Sequence, residues 1–358
     1  MRSSPSNKDF PIALTMGEPA GIGPDITLRA WHHLTAQTNP TNLRFFVIGD
    51  GDILTERARQ LGLNIPMKII SDPSEAAAIF PHALPILPIN SIAAAASPLV
   101  AGQLNGDYAP MVIAAIAKAV ELVKQNRARA VVTNPIQKSI LQQTGFPFPG
   151  HTEFLAQLDS DVDGNAPKKV AMMLVSTQVD PPLRVVPMTI HIPLSRVMSE
   201  LTPTRIIEQA HITENDLRRR FSIANPRLAV TGLNPHAGEA GLMGDEEIRI
   251  MSPAIAQLQQ SGMNITGPLA ADSLFHPAAR RQFDAILCCY HDQALIPIKT
   301  LDFMGGVNVT LGLSFIRTSP DHGTALGIAG QKSDPNNNNI GADPTSLLAA
   351  LKLAESLH

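Results

Sequence analysis

Three apolar runs in this chain end on a histidine: "VVPMTIH" on His191, "LAVTGLNPH" on His236 and "FDAILCCYH" on His291. Each run reads as a buried strand, and open α/β sheets gather their ligand sites at the carboxyl ends of strands. Three imidazoles delivered from three strand ends can converge on one divalent ion and leave positions open for water or substrate. Three unrelated histidines, each hydrogen-bonded in its own loop, would leave the same pattern. The stretch "CCYHDQ" places Cys288 and Cys289 just before His291. Successive side chains of a strand point to opposite faces, so the two thiols do not chelate one ion together. They read as small buried hydrophobes instead. Asp292 follows the histidine and is placed to orient an imidazole or to accept a proton.

A second group suits anions. "FPGHTEFLAQL" sets Gly150, His151 and Thr152 at the start of a helix, with Glu153 in its first turn. Backbone N–H groups there, with a hydroxyl and an imidazole, form an anion site; a plain helix cap by Thr152 is the alternative. Lys299, Asn308 and Arg317 stand near apolar segments expected to be strands, in "IPIKT", "GGVNVT" and "SFIRTS". Buried cations need a counter-charge, which a substrate phosphate or carboxylate, or an internal acid, would supply. "TMGEPAGIGPD" lacks the third glycine of a dinucleotide fingerprint and the Lys-Ser/Thr of a phosphate loop. It reads as a tight turn leading into a helix near Pro24-Asp25.

These residues need a scaffold, and short apolar runs alternating with helical patterns predict α/β architecture with mainly parallel strands. Strands are expected at Ile12–Thr15, Phe45–Ile48, Ala130–Thr133, Lys169–Val175, Val185–Ile190, Leu228–Thr231 and Ala285–Cys289. Helical spacing marks Tyr108–Gln125. Thr202-Pro203 begins another helix, and Thr213 is read as starting one in the same way. Arg218-Arg219-Arg220 reads as a solvated helix face. Length, 358 residues, suits two domains. A net charge of -3 offers no basic field for nucleic acid. No apolar run reaches the roughly 18–20 residues of a membrane helix. The polar start "MRSSPSNKDF" has no signal-peptide core, and a cytoplasmic setting is expected. The Asp159–Lys168 and Asn336–Asn339 stretches read as polar surface insertions.

Taken in order, TMGEPAGIGPD, GHTEF, the histidine of MTIHIPL, GLNPHAGE, ADSLF, YHDQ, GGVNVTLGLSFIRTS and DHGTA identify a resemblance that runs from Ile12 to the C-terminus. The chain resembles the 4-hydroxythreonine-4-phosphate dehydrogenase family of the isocitrate/isopropylmalate dehydrogenase-like superfamily. The resemblance implies two α/β/α domains with an active cleft between them, approximated as 1–135 plus 300–358 and 136–299. It implies a homodimer whose sites are completed across the interface. His191, His236 and His291 match ligands of one divalent ion (zinc, magnesium or cobalt) shared between two subunits. His151, Thr152, Lys299, Asn308 and Arg317 match substrate contacts, and His322, Gly323 and Thr324 resemble an adenosine-side loop for NAD(P). Asp272 and Asp292 are the candidates for a base or for support of the ligands.

The implied reaction is NAD(P)-linked oxidation of 4-phosphooxy-L-threonine, followed by decarboxylation to 3-amino-2-oxopropyl phosphate, in pyridoxal 5'-phosphate formation. Related dehydrogenases of threonate or erythronate 4-phosphate, or of a cyclic dihydrodiol carboxylate, carry similar requirements. More distant alternatives are a metal-dependent hydrolase or aldolase and a non-catalytic phospho-metabolite binder. "TNPIQKS" departs from the family's usual loop while keeping Lys138, and the two insertions are extra length.

Overall fold

The computed structural model describes residues 10–37, 42–89, 98–160, 167–333 and 341–358. The Asn336–Asn339 tract and residues 161–166 of the other insertion lie outside the described residues. The chain divides into two compact units, Met1–Pro167 with Ser314–Ser356, and Lys168–Leu313 with Leu357–His358.

The first unit is built on β1 (Ile12–Thr15), β2 (Phe45–Gly49), β3 (Met67–Ile69), β4 (Leu84–Pro88), β5 (Val131–Thr133) and a late strand, β12 (Arg317–Pro320). Their order is β3-β4-β2-β1-β5-β12, and every pairing is parallel. "IALT" and "FFVIG" are buried at every position, as parallel strands covered on both faces require. The helix Ala109–Lys124 packs on β1, β2 and β5, and Thr345–Ser356 packs on β12, β5 and β1.

Pro24 in its first turn starts the helix Gly23–Thr35, where the missing N–H is no loss. Buried Asp25 of that turn forms an ion pair with buried Arg57 and accepts from the Gly330 N–H at 2.7 Å. Arg57 also donates to the carbonyls of Gly21 (2.8 Å) and Pro19 (3.0 Å). The turn "EPAGIGPD" is therefore held by an internal cation.

The second unit carries β6 (Ala171–Ser176), β7 (Leu183–Pro187), β8 (Leu228–Thr231), β9 (Ile265–Leu269), β10 (Ala285–Cys288) and β11 (Val307–Leu311). Their order is β11-β6-β7-β10-β8-β9. β7, β10, β8 and β9 run parallel, while β6 is antiparallel to both neighbours. His191, His291 and His236 follow β7, β10 and β8, three adjacent strands. Their core packs Leu174, Val185, Ala229, Ile286 and Cys288 against Ala294 and Ile298 of the helix His291–Leu301.

Several local expectations give way to this packing. Thr213 starts no helix: it is buried inside Pro203–Arg219, and its hydroxyl donates to the Gln209 carbonyl at 2.7 Å, an i−4 bond that satisfies a hydroxyl within a helix. Thr202 does cap that helix, accepting from the Arg205 N–H at 3.2 Å. The basic run is not wholly solvated, because Arg220 is 6% exposed and donates to the Leu313 carbonyl at 2.7 Å. Lys299 lies on a helix rather than beside a strand. Among the described residues no helix is long and apolar enough to cross a membrane.

Candidate functional site

His191 and His291 come together at the ends of β7 and β10, their ring centroids 5.9 Å apart. Two local bonds set this approach. The Thr189 hydroxyl donates to the Cys289 carbonyl at 2.7 Å, and the Met188 N–H donates to the Cys288 carbonyl at 2.7 Å. His191 itself sits at φ 53°, a left-handed conformation that non-glycine residues adopt at a cost. The two rings border a cavity of about 260 Å³ that Thr189, Ile192, Leu194, Val197, Tyr290 and Asp292 also line. His291 Nδ1 lies 2.7 Å from Asp292 Oδ1. A carboxylate only accepts, so Nδ1 donates in this contact and Nε2 is the ring nitrogen left to face another group. Asp292 thus orients the imidazole. With Asp272 it also lines a second depression of about 210 Å³, so both aspartate candidates face one space.

His236 is presented differently. From His236 to Ala240 the backbone makes a left-handed turn, with φ of 52°, 53°, 78°, 43° and 56°. Left-handed helix costs ~1–2 kcal/mol for each non-glycine residue, so this loop is strained and needs support. Asn234 supplies it, donating its N–H to Glu247 Oε1 at 2.7 Å and its Nδ2 to Glu247 Oε2 at 2.9 Å and Glu246 Oε2 at 2.8 Å. The His236 side chain stays 64% exposed, with Nδ1 3.6 Å from Glu239 Oε2. Among the described residues, no three His, Cys, Asp or Glu side chains are grouped to hold an ion. The chain by itself brings His191 and His291 together and leaves His236 apart from any such group.

Gln293 ties the strand ends that carry these loops. Its Oε1 accepts from the Thr231 hydroxyl at 2.6 Å and from the Cys289 N–H at 2.7 Å, and its Nε2 donates to the Gly232 carbonyl at 2.8 Å. Sequence reasoning passed over Gln293 as the last letter of "YHDQ"; its position two residues past a strand-end histidine is the signal that would have found it. Cys288 and Cys289 are free and buried. Burial pushes the Cys288 thiol up, and that of Cys289 to about 12, so both are inert core groups.

In the first unit, His151 opens the helix His151–Leu158, whose N-terminus has no side-chain cap. Thr152 therefore does not serve as the plain cap. His151 as a whole is half-buried, yet its Nε2 is out of solvent and has no hydrogen-bond partner. Burial, then the charges of Arg317 and Lys138, hold its pKa well below the usual histidine range. It is a neutral imidazole among cations. Buried Arg317 donates to the Thr133 hydroxyl at 2.7 Å, and burial lowers it to about 10, still protonated at neutral pH. Gly150 leaves room for Lys138: a side-chain carbon there would fall 3.3 Å from Nζ and 3.6 Å from Glu153 Oε2. Lys138 stands five residues beyond the end of β5, a strand-end spacing that marks it in the sequence as a candidate.

In the second unit, Lys299 Nζ lies 5.3 Å over the Phe303 ring, and Asn308 on β11 has a buried Oδ1 without a partner. The His322–Thr324 loop packs on the N-terminal turn of the first unit. The Thr324 carbonyl accepts from the Ile22 N–H at 2.9 Å, and its hydroxyl donates to Gln137 at 2.8 Å. Any side chain at Gly21 would fall 2.9 Å from that carbonyl. The turn that reads as nothing specific in sequence is thus a partner of the loop matched to a cofactor.

The imidazoles of His191 and His291 border one open cavity and are donors of the type a divalent ion takes. Comparison with known proteins gives this geometry a context. The 4-hydroxythreonine-4-phosphate dehydrogenase of Paracoccus denitrificans is 48% identical over 348 residues, covering 97% of this chain and 97% of that protein. A crystal structure of the Klebsiella pneumoniae enzyme of the same name superposes with a TM-score of 0.79 at 34% identity, covering 96% of this chain and 98% of that one. A terephthalate 1,2-cis-dihydrodiol dehydrogenase from Burkholderia xenovorans is more distant, with a TM-score of 0.59 at 26% identity, covering 97% of this chain and 98% of that one. These likenesses agree with the α/β class expected from the sequence. A family profile described as pyridoxal phosphate biosynthetic protein PdxA matches residues 41–354, and with relatives matching nearly end to end, the chain belongs to that family.

Proposed function

We propose that this protein oxidises the C3 hydroxyl of 4-phosphooxy-L-threonine with NAD(P), in the formation of pyridoxal 5'-phosphate. The observation that carries the reading is the 48% identity, over nearly the whole of both chains, to a dehydrogenase named for that substrate. The cationic surroundings of His151 support an anionic substrate. In this reading Arg317 and the His151 helix N-terminus hold one anionic end, with Thr152 beside them. Neutral His151 offers a hydrogen bond without adding charge. Lys299 and Asn308 are read as further substrate contacts.

His191, His236 and His291 would hold the divalent ion, whose double charge beside the reacting hydroxyl would favour loss of its proton. The His191–His291 pairing within one chain makes His236 the ligand to be supplied by a second copy. A homodimer also accounts for apolar side chains left in solvent on the second unit, among them Leu242 (84% exposed), Leu194 (68%) and Phe303 (71%). His322, Gly323 and Thr324 are read as the adenosine side of the NAD(P) site. Asp272 or Asp292 is read as taking the hydroxyl proton, and NAD(P) held by His322, Gly323 and Thr324 would supply the acceptor for the C3 hydride. The product, 2-amino-3-oxo-4-phosphooxybutanoate, is a β-keto acid. Its carboxylate leaves as carbon dioxide, the bonding pair stays on C2, and protonation there gives 3-amino-2-oxopropyl phosphate.

The test is NAD(P)H formation, followed by absorbance, with 4-phosphooxy-L-threonine, threonate and erythronate 4-phosphates and a cyclic dihydrodiol carboxylate. We expect turnover with 4-phosphooxy-L-threonine that is lost on chelation and restored by a divalent ion. Faster turnover of another member of the panel would transfer the assignment to that substrate, and no reduced cofactor with any of them would end the dehydrogenase reading.

A further inference from the structure

Glu247 is a carboxylate with no part in the proposed chemistry, yet it is 3% exposed. Burying a carboxylate is unfavourable unless hydrogen bonds or charges compensate. Among the described residues, both hydrogen bonds to it come from Asn234, two residues ahead of His236: the backbone N–H at 2.7 Å and Nδ2 at 2.9 Å. The loop also closes over it sterically. A side-chain carbon at Gly238 would fall 2.8 Å from Oε2, and one at Gly232 would fall 3.3 Å from Oε1 and 2.7 Å from the Ala237 Cα. Glu247 opens a π-helical turn, Glu247–Met251, a rare element that is frequent at functional sites. The left-handed turn from His236 to Ala240 therefore wraps one buried carboxylate, anchored at Asn234 and admitted by Gly232 and Gly238.

We infer that Glu247 is a positioning residue, whose buried carboxylate holds the strained turn that presents His236 to the metal ion. The inference rests on the proposal that His236 is a metal ligand, and deepens it. Supports of this kind change metal affinity by ~10–100-fold when removed. A purely structural carboxylate would instead change stability and leave affinity alone.

The experiment titrates Co²⁺ into metal-free full-length protein, by calorimetry and by the visible cobalt spectrum. Wild type is compared with Glu247→Gln, Glu247→Ala, Asn234→Ala and His236→Ala at a concentration where each has the wild-type sedimentation behaviour. Glu247→Gln keeps an oxygen for the Asn234 N–H but turns an NH₂ toward Nδ2, so the turn loses one of its two holds. We expect Co²⁺ to bind ~10–100-fold more weakly to Glu247→Gln and to Asn234→Ala, with turnover recovered at saturating Co²⁺. Wild-type affinity in both would overturn the inference. So would lost affinity with turnover that saturating Co²⁺ fails to restore, since the carboxylate would then act in the chemistry. If Glu247→Ala does not fold, the Gln and Asn234 variants decide. Wild-type affinity in His236→Ala would instead sink the ligand assignment on which the inference stands.

Discussion

The His236 side chain stands 64% exposed on a left-handed turn, whereas His151 keeps its Nε2 out of solvent at the first residue of a helix. The two regions prepare an imidazole by opposite means. At His236 the backbone is strained and the ring is open, as the proposed role of a ligand supplied by a second copy requires. At His151 the backbone is ordinary helix, and the environment does the preparing: burial and neighbouring cations keep the ring neutral. The contrast teaches that strain and burial are alternative ways to fix a functional side chain. Strain sets direction while leaving access, and burial sets protonation while restricting access.

The anion side of the comparison should show the largest effect. Replacing buried Arg317 by methionine removes charge-assisted hydrogen bonds worth ~1.5–3 kcal/mol, so KM for the phosphorylated substrate should rise ~10–10²-fold. Co²⁺ affinity should stay as in wild type. An unchanged KM would detach the His151 pocket from substrate binding.

A smaller effect should appear in the pH dependence of stability. The folded pKa of His151 lies below its unfolded value near 6.5, so below that pH the unfolded chain binds the extra proton first. Its contribution is fully present above about pH 6.5 and is lost as pH falls, at no more than ~1.4 kcal/mol per pH unit for one proton. Denaturant midpoints of wild type and His151→Gln should therefore converge or cross as pH falls from 7.5 to 5. Parallel curves would mean that His151 titrates normally. The smallest effect belongs to the strained turn. Ala240→Gly relieves left-handed strain of ~1–2 kcal/mol but adds ~0.5–1 kcal/mol of chain entropy to the unfolded state. A gain of up to ~1.5 kcal/mol in stability is expected by chemical denaturation. A loss larger than that would remove the strain from the comparison.

Much of the scaffold was legible because parallel strands are buried on both faces and read as continuous apolar runs. β1, β8 and β10 lie where such runs predict them. A strand of another composition gave no such signal: β3 is "MKI" with an exposed lysine. It is not apolar enough to declare itself, and it is a strand because of its neighbour in the sheet. Pro297 interrupts the pattern of His291–Leu301, which hid that helix and misplaced Lys299. Thr213 misled for a related reason, since a hydroxyl that caps a helix when it precedes one can bond the i−4 carbonyl when it lies within one.

The sequence alone determined which residue types are available and the order in which they follow strands: His191 after β7, His236 after β8, His291 after β10. Local chemistry suffices for that, because strand periodicity and apolar content are properties of neighbours along the chain. Only the tertiary structure decided which of them meet. The order β7-β10-β8 brings His191 to His291, a long-range pairing that no local pattern encodes. It also decided that Glu247 lies beneath the turn carrying His236, and that Arg317 and Lys138 lie near His151. Those are statements about distance and burial, and both arise when segments far apart in sequence exclude water from one another.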